Sequence, residues 1–146
     1  MMMTVIVKFG SINKIKWCEH VRYLGVYLMR SKSVKFDISP IQRSFYAACN
    51  SIFSHSHGVK EMALLALQES YSLSVLLYAS PALSLTCKQI SELNVCWNGI
   101  IRIIFGYHKW ESVRPLICEL CRLNVVFSCW YAKLNFISVY IVNQAF

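Results

Sequence analysis

Side chains able to do chemistry are few in this sequence, and their spacing limits what they can do. Cys118 and Cys121 form one Cys-x-x-Cys. A structural zinc takes four ligands, and no second pair stands at a suitable distance along the chain. On a helix the two cysteines fall with Val113, Leu116, Ile117 and Leu120 on one apolar side, so they are expected in the core. His55 and His57 flank one serine before Gly58. A two-histidine half-site is one reading of them; a solvated turn is the better fit. Two-metal chemistry needs paired carboxylates around ions about 4 Å apart. Here there is a single aspartate, Asp37, and six glutamates with no adjacent pair. No histidine is set in a nucleophile motif such as Gly-x-Ser-x-Gly. The five scattered glycines make no phosphate-cradling loop. The expectation is a chain with no catalytic residue, no metal site and no cofactor of its own.

Positive charge is the remaining chemical signal. Fifteen basic against seven acidic side chains give a formal net charge of +8. It is unevenly placed: residues 1–60 hold nine Lys or Arg against Glu19 and Asp37, leaving +7, whereas residues 61–146 hold six against five. An excess of this kind suits a polyphosphate or other anionic partner, and its plain alternative is a solvated basic face.

The elements that must carry these groups are organised around the stretch from Lys60 to Phe105. Ile90, Leu93, Trp97, Ile100, Ile101, Ile104 and Phe105 recur every three or four residues, one stripe of an amphipathic helix. Thr86 and Gln89 have capping-box spacing before it, and Gly106 stands where a left-handed terminator is wanted. Met62 to Ala79 is apolar nearly all round, which predicts a helix buried on most sides. At 146 residues the chain is one domain or a piece of one. Its hydrophobic content of 56% and mean hydropathy of +0.44 are high. A membrane span does not follow, because Met62 to Leu85 carries Gln68, Glu69 and Pro81 where a spanning helix wants about 20 predominantly apolar residues. The surplus apolar surface is better explained by a neighbouring domain that covers it. Seven cysteines behind a Met-Met-Met-Thr start with no secretory pattern read as reduced thiols. The expected compartment is intracellular, cytoplasmic or nuclear, and not secreted.

In chain order, Thr4 to Phe9 reads as a short strand and Ser11 to Lys16 as a polar connection. Val21 to Leu28 reads as a second strand with Gly25 as a bulge or close approach, the two making an antiparallel ribbon. Arg30 to Asp37 reads as a basic loop. Ser39-Pro40-Ile41-Gln42 then announces a helix by capping-box spacing and a first-turn proline, followed by Phe45, Ala48, Cys49, Ile52 and Phe53 at helical intervals. Arg43, Ser44, Asn50 and Ser51 lie on its polar side. Val113 to Leu123 predicts a short helix tolerating Pro115 near its start. Phe127, Trp130, Tyr131, Leu134, Ile137 and Ile141 supply a last stripe. The fold class is therefore mainly α: a bundle of four or five helices with a short N-terminal antiparallel β-ribbon, divided into residues 1–36 and 37–146.

Five segments, VRYLGVYL, DISPIQRSFYAACNSIFSH, LQESYSLSVLLYASPALSL, ELNVCWNGIIRIIFGYHKWESVR and ELCRLNV, together resemble, in that order, the region after the palm of LINE-type (non-LTR) retrotransposon reverse transcriptases. The resemblance runs from Val21 to Val125. It implies that the Tyr-Leu-Gly-Val stretch belongs to a hairpin beside the primer terminus, at the palm–thumb junction. The helices after it would be thumb-like and hold a template–primer duplex, RNA–DNA or RNA. The family's magnesium-binding aspartates lie upstream of that stretch and have no counterpart here, so polymerase activity is not expected of this chain. Nucleic-acid contacts are expected at Lys14, Lys16, Arg22, Tyr23, Leu24, Gly25, Arg30, Lys32, Lys35 and Arg43. Tyr23 and Leu24 can equally pack the ribbon on the first helix.

Two functional readings stay open, with a third beside them. One is a reverse-transcriptase fragment with residual duplex affinity, its apolar face once covered by the missing palm. Another is a helical protein-interaction or self-association module using Trp97, Trp110, Trp130 and their aliphatic neighbours, without nucleic acid or membrane. The third is a remnant with no stable monomer. Trp110, between Lys109 and Arg114, can stack on a base, although a tryptophan at a helix start more often serves as a hydrophobic staple. Arg102 can meet a phosphate or an acidic neighbour.

Overall fold

The computed structural model describes residues 20–23, 26–29, 35–78, 80, 81 and 83–144. The chain divides into two compact units, Met1–Asp37 and Ile38–Phe146. It is mainly α with a small antiparallel sheet toward the N-terminus, as the residue patterns predict.

In the first unit, strands β1 (His20–Tyr23), β2 (Val26–Met29) and β3 (Lys35–Asp37) pair antiparallel in the order β1-β2-β3. Two expectations are corrected here. The single strand over Val21 to Leu28 is a hairpin, because Tyr23 pairs with Val26 and Arg22 with Tyr27. Gly25 in the gap was the available sign: short connections between pleated runs favour glycine. The basic loop over Arg30 to Asp37 ends in a strand, with Leu28 opposite Phe36 and Tyr27 opposite Asp37. Rows alternate across a pleated sheet, so Val21, Val26, Leu28 and Phe36 share one apolar face and Arg22, Tyr27, Met29 and Asp37 the other. Val26 is buried and Arg22 exposed. The strand expected over Thr4 to Phe9 lies outside the described residues.

The second unit holds α1 (Ser39–His55), α2 (Glu61–Gln68), α3 (Ser74–Leu77), α4 (Cys87–Phe105), α5 (Arg114–Glu119) and α6 (Val125–Gln144). A π turn, Glu69–Leu73, joins α2 to α3 as one continuous helix, so the described residues contain five helices. The N-cap of α1 is Ile38, one residue before the serine expected there, and Pro40 sits in the first turn, where its missing N–H is tolerated. Both signals bracketing α4 are realised. Thr86 and Gln89 make a reciprocal capping box, and Gly106 terminates the helix at φ 69°.

α4 packs against α1, α2 and α6. Its stripe of Leu93, Cys96, Trp97, Ile100, Ile101 and Ile104 is buried among Phe45 and Cys49 of α1, Leu65, Leu76, Ile117, Val125 and Cys129. Burying each large side chain contributes about 1.5–3 kcal/mol, so this cluster holds the unit together. The helix from Glu61 to Leu77 departs from its expectation. Leu65, Gln68, Ser72 and Leu76 are buried, whereas Met62, Leu67, Tyr71 and Tyr78 are exposed. Its buried polar pair is satisfied: Gln68 Nε2 donates to the Cys49 carbonyl at 3.3 Å and Ser72 Oγ donates to Gln68 Oε1 at 2.6 Å. A buried amide with partners costs little, and here it fixes α2 against α1. Ser70 and Ser74 donate back to the carbonyls of Ala66 and Ser70, the back-bonding that distorts regular helices and accompanies the π turn.

Two further corrections concern the C-terminal third. α5 is shorter than the stretch Val113 to Leu123, and Cys118 and Cys121 are exposed rather than in the core. α6 begins at an asparagine cap, with Phe127 N–H donating to Asn124 Oδ1 at 3.0 Å. Its first turns bury Val125 and Cys129, but Phe127, Trp130, Tyr131, Leu134, Ile137 and Ile141 are all exposed. Among the described residues no helix is long and apolar enough to cross a membrane.

Candidate nucleic-acid interface

Of the ten residues expected to meet nucleic acid, Lys14, Lys16, Leu24, Gly25, Arg30 and Lys32 lie outside the described residues. Arg22 and Tyr23 stand on β1, Lys35 on β3 and Arg43 on α1. The hairpin brings Arg22 directly across from Tyr27, with the guanidinium carbon 5.8 Å from the ring centroid. A cation held over an aromatic face keeps its N–H groups free at the ring edge for an anion. Read as one strand, residues 22 and 27 fall on opposite faces; only the reversal pairs them. Tyr27 is therefore a member of this site that sequence reasoning missed.

Arg43 is exposed on α1, on the side that also carries exposed Ser44, Asn50 and Ser51. Toward the end of that helix His55 turns inward on its own backbone. Its Nδ1 lies 2.7 Å from the Ser51 carbonyl, so the ring caps the last turn. Among the described residues no group of three or more His, Cys, Asp or Glu could hold a metal ion.

A second cluster follows α4. Arg102 Nε donates to the Glu111 backbone carbonyl at 3.1 Å, so its guanidinium braces the turn after Gly106. Within that turn the His108 N–H donates to the Glu111 carboxylate and the Glu111 N–H to the His108 carbonyl. Trp110 rides on this braced turn. Its ring stacks on His108 with centroids 4.8 Å apart and planes 5° apart, and the residue is 81% exposed. That overturns the staple expectation, since a stapling tryptophan would be packed under the helix start. One face of the indole is taken by His108, and Lys109 and Arg114, close in the chain, are exposed.

Ionisable groups in the core are shifted by burial and hydrogen bonding. The Cys96 thiol, hydrogen-bonded to the phenol, and burial push Tyr46 up to about 12 from 10.0. Burial raises the Cys49 and Cys129 thiols. Neutral, buried thiols of this kind are poor nucleophiles. Compared with family models, with curated proteins and with solved structures, the chain matches none.

Proposed function

We propose that this chain is a hairpin-and-thumb portion of a non-LTR retrotransposon reverse transcriptase, able to hold a template–primer duplex and unable to extend it. The observation that carries the reading is the hairpin. The Tyr-Leu-Gly-Val stretch brackets a chain reversal, as the resemblance implies for a primer-side hairpin, and Arg22 stands exposed beside it over Tyr27. Helices with an exposed basic and polar side, marked by Arg43 and Asn50, follow at once. The exposed indole of Trp110 gives an unpaired base something to stack on. Magnesium, which such a polymerase uses, has no carboxylate pair to hold it in this sequence.

A second reading rests on a different observation, the exposed apolar face of α6. It makes the unit a helical interaction module, with the palm or another protein covering that face. Binding to a short RNA–DNA hybrid across a salt series separates the two. Duplex affinity should fall log-linearly with salt and be lost on charge reversal at Arg22, Arg30, Lys32 and Lys35, whereas Arg43→Ala should reduce the slope by about one. Binding indifferent to salt and to those residues would remove the duplex role and leave the interaction module.

A further inference from the structure

Cys118 and Cys121 sit in a helix-ending turn of unusual make-up. The Arg122 N–H donates to the Ile117 carbonyl and the Cys121 N–H to the Cys118 carbonyl, each at 3.0 Å. These two bonds are the Schellman pattern, in which the residue holding the left-handed conformation is usually glycine. Here it is Cys121, at φ 52°, the one non-glycine residue with positive φ among those described. A side chain there is unfavourable, and an outlier of this kind is a reason to ask what the side chain does. Both thiols are free and exposed, whereas Cys49, Cys96 and Cys129 are buried.

We propose that Cys118 and Cys121 form a redox-active dithiol that closes to an intramolecular disulfide. A turn closed by a bond from residue i+3 back to residue i holds the two Cα atoms within about 7 Å. Disulfides span about 4.4–6.8 Å between Cα atoms, so the turn already brings the pair into range. The oxidant is a small disulfide of the glutathione class. One cysteine loses its proton and attacks the small disulfide, forming a mixed disulfide and expelling one thiolate. The second cysteine then loses its proton, attacks the protein sulfur of that mixed disulfide and expels the other thiolate. Two protein thiols are oxidised, one small disulfide is reduced to two thiols, and the two protons go to the leaving sulfurs. The bond would tie the last turn of α5 to the residue from which the chain leaves for α6. Metal binding is a weaker use of the pair, since no third ligand is grouped with it among the described residues.

The test equilibrates the full chain in buffers of reduced and oxidised glutathione, blocks free thiols with an alkylating agent and maps the peptides by mass. The peptide holding both residues should lose two hydrogens and both alkylation sites. It should do so at an oxidised-to-reduced ratio at least about tenfold lower than the one that half-modifies Cys87, an exposed cysteine on α4. Cys121→Gly keeps the turn and removes the second sulfur, so Cys118 should then accumulate as a stable glutathione adduct. Glutathione on both cysteines without an internal bond, bonds between molecules instead of within one, or a pair that stays reduced while Cys87 reacts would each overturn the proposal.

Discussion

α4 and α6 are similar in length and α6 is the more apolar, yet it is α4 that is buried. α4 turns Leu93, Trp97, Ile100 and Ile104 into the core. α6 buries Val125 and Cys129 in its first turns and leaves Trp130, Leu134 and Ile141 exposed, the last two at 64% and 61%. An apolar stripe at helical spacing states that a face prefers cover; it does not state what the cover is. For α4 the cover comes from α1, α2 and the start of α6. Beyond those first turns the large apolar side chains described on α6 remain exposed.

Removing a tryptophan from each helix should separate them most widely. Trp97 is 2% exposed and lies 6.4 Å from Phe45 between ring centroids. Trp97→Ala should cost about 3–5 kcal/mol, enough to unfold a marginal domain at room temperature. Trp130→Ala should change stability by about 0.5 kcal/mol or less. Urea unfolding followed by circular dichroism measures both. Equal losses would mean that the face of α6 carrying Trp130 is packed after all.

The helix ends give the next contrast. α4 closes on Gly106 and α5 on Cys121, both left-handed. A Cβ at Gly106 would meet nothing within 4 Å, so Gly106→Ala tests backbone conformation alone. It should destabilise by about 1 kcal/mol, and Cys121→Gly should stabilise by a similar amount under reducing conditions. Thermal unfolding of the two variants against the parent chain measures the opposite signs.

At the two ends of α4 the local signals were sufficient, whereas the capping spacing at Ser39 placed the start of α1 one residue late. Thr86, Gln89 and Gly106 each act within one turn of α4, and all three sit as their types demand. Where the answer depended on what lies opposite, residue patterns misled. Arg22 and Tyr27 needed the register of a hairpin, which alternation within a single run cannot reveal. Leu67 is as apolar as Leu65 and Leu76, and only the positions of α1 and α4 decide which are covered, with Gln68 taking an inner place because the Cys49 carbonyl meets it. Cys118 and Cys121 look like core residues by type, and they are exposed because α5 ends between them.

The smallest effect is expected where α1 meets α4, and it appears only in alkali. Tyr46 is 42% exposed, but its phenol is hydrogen-bonded to the Cys96 thiol, and that contact together with burial favours the neutral form, raising its pKa from 10.0 to about 12. The fold therefore prefers protonated Tyr46. The stabilisation this gives is fully present below pH 10, the unfolded value, and is lost as pH rises toward 12. Partial exposure screens the effect, so it should register as a modest fall in unfolding midpoint over that window. The buried Cys49 thiol, raised in the same sense, begins to contribute its own loss above its ordinary value of 9.0. Tyr46→Phe isolates the first component: it should remove the part of the alkaline fall centred between pH 10 and 12 and leave the earlier part in place. An unchanged alkaline profile in that variant would show that the phenol does not bridge the two helices, and that α4 depends on its apolar stripe alone.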